Sequence, residues 1–368
     1  MSVRILHIAD IHLDAPFRWL GDRGADQRAQ VRRTFERVCG LAKEHDLMLI
    51  AGDLFDSNAV SQWTLEWAIG LLSGIGIPIC ILPGTHDGLG PDCVYHRPEW
   101  QRAGNAHLLI SPQTQSARFD DLSVCVHARP VAGNENAGPL QGIRRDNDTR
   151  WNVALAHGSV IIPGRISEDT DCPIQTSEIG RSGMDYIALG HWHSWYDPGC
   201  RVKAVYPGSP EILKFGQSSI SVASVTLSDS GVQVEPIVVG KRRCREETAS
   251  VDGLDSTEAI KALIAEWADP DLILRAALTG LLDAGLALDA EEMASELAER
   301  FFHLELRDET HPKLTADALD FPERTVIGRF VRSLREEIEK TGDERVRKLA
   351  EDALQLGVAL LRGRNVLR

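Results

Sequence analysis

The chain predicts an α/β fold, a two-sheet sandwich flanked by helices and followed by a small C-terminal α/β cap and terminal helices. Three observations carry that expectation. From residue 1 to about 240, short apolar runs alternate with helical segments, the pattern of layered sheets and helices rather than of a bundle. Five of those runs, ILHIADIH, LMLIAGD, ICILPGTHD, VALAHG and MDYIALGHWH, end on Asp or His. After Tyr186 the pattern changes to short strands at 202–206, 220–227 and 232–239, bounded by turns such as Asp229-Ser230-Gly231, which reads as the second half of the sandwich.

Residues 27–45 are expected to be helical because Val31, Phe35, Val38 and Leu41 recur at helical spacing. A second helix is expected over 61–72, with Trp63, Trp67 and Leu71 on one stripe; the two tryptophans suit either the core or a dimer contact. The basic run from Lys241 marks a boundary. Beyond it, helix 256–267, strand 271–279, helix 289–302 and strand 303–308 alternate as a small α/β unit. The tail turns helical from about 325, where Val326, Phe330, Leu334 and Ile338 recur every fourth residue. Val346, Leu349, Ala353, Leu356 and Leu360 continue in a three-four repeat. The expected organisation is a main domain over 1–240, a capping domain over 241–320 and a helical tail over 321–368 that is a candidate partner-binding segment.

A hydrophobic content of 43% over 368 residues is that of a folded chain. MSVRILHIAD runs straight into the first Asp/His cluster, so it reads as a core strand rather than a leader, and no apolar run is long enough to span a membrane. The expected location is the cytoplasm. Seven scattered cysteines without a C-x-x-C pair point to reduced, structural thiols. A net charge of -14 argues against broad electrostatic attraction to nucleic acid, so any such contact must be local. The candidates are Arg144, Arg145 and Arg150, or Lys241, Arg242, Arg243 and Arg245; a solvated surface or linker accounts for either cluster equally well.

The run ends place Asp10, His12, Asp53, His86, Asp87, His157, His191 and His193 where strands release side chains to one rim. Gathering such groups without a cation is costly, because unpaired carboxylates and imidazoles stay desolvated or repel. Oxygen and nitrogen donors without cysteine suit two divalent ions, Mn2+ first, with Fe or Zn2+ as alternatives. Asp10 and His12 are two residues apart, as are His191 and His193, so each pair can turn toward one ion. Gly52 lets the backbone bend closely under a metal, and the two oxygens of Asp53 can bridge a pair. Two such ions can activate a shared water as hydroxide and neutralise a phosphate in flight, which favours phosphoester hydrolysis. His86, with Asp87 beside it to orient the ring, is the expected general acid. The histidines outside the motifs, His7, His45, His96, His107, His303 and His311, are expected to be structural or exposed, and His127 is a candidate for the site rim.

D-x-H at Asp10–His12, G-D at Gly52–Asp53, G-T-H-D at Gly84–Asp87, A-H-G at Ala156–Gly158 and G-H-W-H at Gly190–His193 resemble the ordered motifs of the calcineurin-like metallophosphoesterases. The string Tyr206-Pro207-Gly208-Ser209-Pro210-Glu211 resembles the segment after the last histidine motif in the SbcD-type DNA repair exonucleases, counterparts of the Mre nuclease. The resemblance implies that Asp10, His12, Asp53 and His193 hold one ion, that Asp53, His157 and His191 hold the other with residue 85 as the remaining ligand, and that His86 is the acid. The family usually has Asn there; this chain has Thr85, a shorter and poorer donor. The implied partners are DNA, an SbcC-like coiled-coil ATPase and a second copy of the chain. Three readings stay open: a DNA exo- or endonuclease, a small-molecule phosphodiesterase or phosphatase, and a catalytically weakened scaffold subunit.

Overall fold

Apolar runs covered on both faces become buried parallel strands. The computed structural model describes residues 2–130, 138–162, 172–282, 286–313, 320–322 and 324–362. In chain order it begins with β1 (Val3–Ile8), α1 (Gly24–Ala42), β2 (Leu47–Ala51), α2 (Gln62–Ser73), β3 (Ile79–Leu82), β4 (Ala106–Leu108), β5 (Gln115–Phe119) and β6 (Val124–Ala128). It continues with β7 (Trp151–His157), β8 (Val160–Ile161), β9 (Ile174–Gln175), α3 (Thr176–Arg181), β10 (Tyr186–Gly190), β11 (Lys203–Val205), β12 (Ser221–Ser228) and β13 (Gly231–Val238).

Among the described residues these strands form a six-stranded sheet ordered β13-β12-β1-β2-β3-β4 and a five-stranded sheet ordered β11-β10-β7-β6-β5. Their facing sides make one core, in which Ile5, Leu49 and Ala51 of the first sheet join Val126, Val153, Leu155 and Ala188 of the second. Strands β1 to β4 are mutually parallel, as are β6, β7, β10 and β11. Every Asp/His motif therefore leaves a strand at its C-terminal end, the position where open α/β sheets present ligand sites.

The expectation that the strands after Tyr186 complete the second sheet holds for β11 alone. β12 lies antiparallel to β1, and β13 antiparallel to β12, so this hairpin extends the first sheet. Pairing with β12 removes the exposed edge that β1 would otherwise present. Helix α1 buries Val31, Phe35 and Val38, as its spacing predicts. In α2 the buried stripe is Leu65, Ala68, Ile69 and Leu72 instead of the tryptophans. Trp63 is 57% exposed, stacks on Trp67 and carries the Arg32 guanidinium 5.0 Å above its ring. Ser61 caps α2 by accepting the Thr64 amide, and Asp14 holds both Ser61 and Thr64.

Cα packing divides the chain into Met1–Cys244 and Arg245–Arg368. β14 (Arg243–Ser250) starts two residues before the division, and the second unit continues with α4 (Thr257–Ala265), β15 (Asp269–Leu282), α5 (Ala290–Leu297), β16 (Phe301–Pro312), α6 (Val326–Lys340) and α7 (Glu344–Leu361). β14, β15 and β16 form a sheet in that order, with β15 and β16 parallel. Ile260, Ile264, Leu274, Met293 and Phe301 build its core. β14 falls on the basic run that reads from sequence as a boundary alone. Val331, Leu354 and Val358 join α6 to α7, and Gly357 admits the Phe330 ring, which a Cβ there would meet at 2.1 Å. Among the described residues no helix is long and apolar enough to cross a membrane.

His7 is fully buried in β1, with Nδ1 2.9 Å from the Tyr186 hydroxyl. Burial, opposed by a backbone hydrogen bond with Leu189, brings its pKa down to about 3. The native ring stays neutral while the unfolded ring protonates below about pH 6.5, so stability is full above that pH and falls as pH drops toward the native value. Denaturant titrations should show wild type losing about 2 kcal/mol more than His7→Asn between about pH 7 and pH 5. Equal losses would contradict the buried neutral ring.

Candidate metal centre

Two strand-end loops zip together to form the floor of the site. Asp10 N donates to Gly52 O, His12 N to Asp53 O and Leu13 N to Leu54 O, at 3.0–3.1 Å. Tight packing forces the backbone into the left-handed region at Asp10 (φ 54°), His12 (50°) and Asp53 (51°). Such conformations cost about 1–3 kcal/mol each at non-glycine residues, and they concentrate at functional sites. Three glycines leave space that no other residue could. A Cβ on Gly52 would lie 2.1 Å from His157 Nδ1, one on Gly84 2.1 Å from Asp53 Oδ1, and one on Gly190 1.8 Å from Ala51 O.

The motif residues converge into donor groups. Asp10, His12 and His193 form one and Asp53, His157 and His191 a second, while His12 also joins Asp56 and the exposed His86 in a third, with the donor atoms of each group within 4.8 Å of one another. Asp53 Oδ2 stands between the first two groups, 3.6 Å from His12 Nε2 and 3.3 Å from His157 Nε2. Thr85 Oγ1 lies 3.4 Å from that same oxygen, while Asp53 Oδ1 accepts the His86 amide at 2.8 Å. Asp10 receives the His191 amide at 3.0 Å.

The ring nitrogens test whether cations fit. His157 Nδ1 donates to Ala51 O at 2.8 Å, and a carbonyl can only accept, so in the neutral ring the lone pair is on Nε2. His12 Nδ1 lies 3.0 Å from Asp56 Oδ1, which fixes the same tautomer. His12 Nε2, His157 Nε2 and His193 Nδ1 are buried and meet no hydrogen-bond partner. Each such orphan costs about 1–3 kcal/mol, and a pair of divalent ions satisfies all three. The donor set and these three atoms fit two hard-to-intermediate cations.

Without cations a proton takes their place between Asp53 and His157. Burial opposes charge on both Asp53 and His157, but their mutual attraction prevails, holding Asp53 well below the carboxylate range and pushing His157 up to about 10. Burial, with His12 and Lys214 nearby, pushes His193 well below the usual histidine value. Burial raises Asp10.

His86 stands exposed at the rim with its ring centroid 4.6 Å from that of His12. The expectation that Asp87 orients it is corrected. The buried Asp87 carboxylate accepts the Gly84 amide at 2.7 Å, the Phe55 amide at 3.1 Å and the Tyr95 hydroxyl at 2.5 Å, which braces the loop. Asp56 supplies the orientation: its carbonyl accepts from His86 Nδ1 at 3.1 Å and its carboxylate holds His12. Adjacency in sequence pointed to Asp87; the G-D-L-F-D spacing, three residues from Asp53 to Asp56, is the signal that marks the other carboxylate.

His127 is a strut rather than a rim residue, bonded to Ser116 Oγ at 2.7 Å and Asn152 Oδ1 at 2.9 Å. The basic clusters are tied locally: Arg145 binds Asp185 at 2.9 Å, Arg150 pairs with Asp229 and Arg245 with Glu247. The YPGSPE string lies behind the centre. The Tyr206 hydroxyl donates to Gly158 O at 2.6 Å and accepts the Val160 amide at 2.9 Å, steadying the loop after His157. Gly208 leaves room for His193 O, 2.8 Å from where its Cβ would stand, and Ser209 N donates to that same oxygen at 3.0 Å. The buried Glu211 carboxylate gathers Thr34 Oγ1 at 2.9 Å and the amides of Lys241 and Arg242 at 3.0 and 2.9 Å.

Strand ends of two facing sheets that converge on Asp/His groups around one carboxylate give the donor set of a metal-dependent hydrolase. The chain belongs to the calcineurin-like phosphoesterases, whose family pattern matches residues 3–195, and it is thereby a metallophosphoesterase that uses divalent metals. It is 27% identical over 358 residues to the uncharacterized metallophosphoesterase YhaO of Bacillus subtilis (strain 168), covering 87% of this chain and 85% of that one. A crystal structure of a Thermus thermophilus protein, TT1561, aligns with TM-score 0.38 and 12% identity, over 64% of this chain and 99% of that one. A conserved uncharacterized protein and predicted phosphoesterase of Streptococcus pneumoniae TIGR4 aligns with TM-score 0.31 and 12% identity, over 65% of this chain and 90% of that one.

Thr85 reaches the centre with a neutral hydroxyl where an amide oxygen would extend further. Calorimetric titration with Mn2+ should show one tight and one weak site in wild type, and Thr85→Asn should tighten the weak site by about tenfold. Unchanged stoichiometry and affinity would contradict a ligand role for residue 85.

Proposed function

We propose that the protein is a metal-dependent nuclease of the SbcD/Mre branch, cleaving DNA phosphodiesters in the cytoplasm with Mn2+ as its metal. The single observation that carries the hydrolytic part is the Asp53 carboxylate set between His12 and His157, whose buried Nε2 atoms meet no hydrogen-bond partner. A cation pair supplies Lewis-acid activation of water and neutralises phosphoryl charge when bound. Asp10, His12, Asp53 and His193 would hold one ion; Asp53, Thr85, His157 and His191 would hold the other. His86 donates Nδ1–H to the Asp56 carbonyl, which leaves Nε2 to deliver a proton to the departing oxygen when the ring is charged. Asp87 and Asp56 set the loop and the ring that make this delivery accurate.

Support for the branch is the YPGSPE string and its buttressing of the His157 and His193 loops. In this reading residues 1–240 are the nuclease domain, 241–320 a cap, and 321–368 the segment that docks an SbcC-like coiled-coil ATPase. Val346, Leu349, Leu360 and Leu361 of α7 are exposed, which suits such docking. The exposed Trp63 suits a contact with a second copy. A second reading, a small-molecule phosphodiesterase, is favoured by the net charge of -14, which repels a polyanion.

Purified protein with Mn2+ should cut linear DNA as well as bis-(p-nitrophenyl) phosphate. His86→Ala should lower kcat by about 10²–10⁴ while metal content stays unchanged. Brisk ester turnover without DNA cleavage would reject the nuclease reading in favour of the second, and a His86→Ala protein of undiminished rate would reject the acid.

A further inference from the structure

We propose that the cavity beside His191 and His193 seats the nucleotide flanking the scissile phosphate, with Lys214 gripping its phosphate and Phe215 stacking on its base. The inference rests on the nuclease reading and adds a substrate subsite to it. The cavity is an open cleft of about 470 Å³ lined by His191, His193, Trp195, Lys214, Phe215 and Gln217, so one wall carries the candidate metal ligands and the other is the segment 214–218. That volume lies within the about 300–1,000 Å³ of small-ligand sites and suits one unstacked nucleotide rather than a duplex.

Charge complementarity names the occupant. Arg145, Arg150 and Arg245 are each paired with a carboxylate, whereas Lys214 is exposed and forms no ion pair or hydrogen bond among the described residues. An unneutralised ammonium on the wall facing the metal ligands of a chain carrying -14 attracts an anion, and beside a phosphoesterase centre that anion is a substrate phosphate. Beside it, Phe215 offers a half-buried ring supported by Trp19 at 4.9 Å, the kind of shelf on which bases stack regardless of sequence.

The loop is braced by hydrogen bonds of its own. Gln217 is buried; its Oε1 accepts the Leu213 amide at 2.9 Å while Nε2 donates to Glu211 O at 2.9 Å and Ser219 O at 2.8 Å. Ser194 Oγ accepts the Ser218 amide at 3.0 Å, and Trp19 Nε1 donates to Leu213 O at 3.2 Å. The backbone that carries Lys214 and Phe215 is thus held in place, and binding has only the side chains to order. The subsite favours single-stranded or frayed ends, whose bases are free to leave the stack.

Steady-state cleavage of a single-stranded oligothymidylate by the Mn2+-loaded full chain tests this. Lys214→Ala should raise KM about tenfold with kcat within about twofold, and should reduce the salt dependence of kcat/KM by about one phosphate contact. Lys214→Arg should keep KM within about threefold of wild type, and Phe215→Leu should raise it severalfold. A Lys214→Ala KM within about twofold of wild type overturns the subsite while the nuclease reading stands. A wild type that turns over bis-(p-nitrophenyl) phosphate yet cuts no oligothymidylate overturns both.

Discussion

The shared carboxylate of Asp53 is the constraint on which the rest of the first unit depends. It reaches His12 from its own sheet and His157 from the facing one, so the sandwich can close only if both sheets bring their strand ends to one rim. Closure at that distance eliminates side chains at Gly52, Gly84 and Gly190 and twists Asp10, His12 and Asp53 into left-handed backbone. None of this would be stable for its own sake, because it concentrates buried acids, buried rings and strain in one place. Divalent cations turn the same arrangement from a liability into a binding site, since they meet the orphaned nitrogens and the carboxylates together.

Around that centre the protein keeps a layer of residues that position ligands without touching an ion. Ala51 O and Asp56 fix which nitrogens of His157 and His12 face inward. Asp87 and Tyr95 stiffen the loop that carries Thr85 and His86, and Tyr206, Gly208 and Ser209 hold the loops of the two later histidine motifs. Such outer partners commonly decide affinity as much as the ligands do. They also give YPGSPE a duty at the centre even though no side chain in it is a metal donor.

The site was legible in sequence because each ligand sits directly after an apolar run, and a strand end is a local feature. Partner choice is not local. Nothing in Ser221–Ser228 says that it pairs with β1 instead of β11, and nothing in Arg243–Ser250 separates a basic linker from an edge strand. The outward turn of Trp63 depends on which face of α2 meets the core, and two competing apolar stripes occur in that helix. Asp56 and Lys214 escaped for the same reason: each acts on a group distant in sequence, Asp56 on His12 and Lys214 in a cavity shared with His191, and a single carboxylate or lysine in a loop carries no signal by itself. Adjacency misleads at Asp87 because neighbours in a loop need not share a direction.

The central claim is that the convergent donors hold two cations about a common carboxylate. Anomalous scattering at the manganese edge, from crystals grown with Mn2+, tests it most directly. The account predicts two peaks roughly 3.5–4 Å apart with Asp53 between them, one against Asp10, His12 and His193 and the other against His157 and His191. Peaks elsewhere in the molecule, or an empty centre at saturating metal, would contradict it.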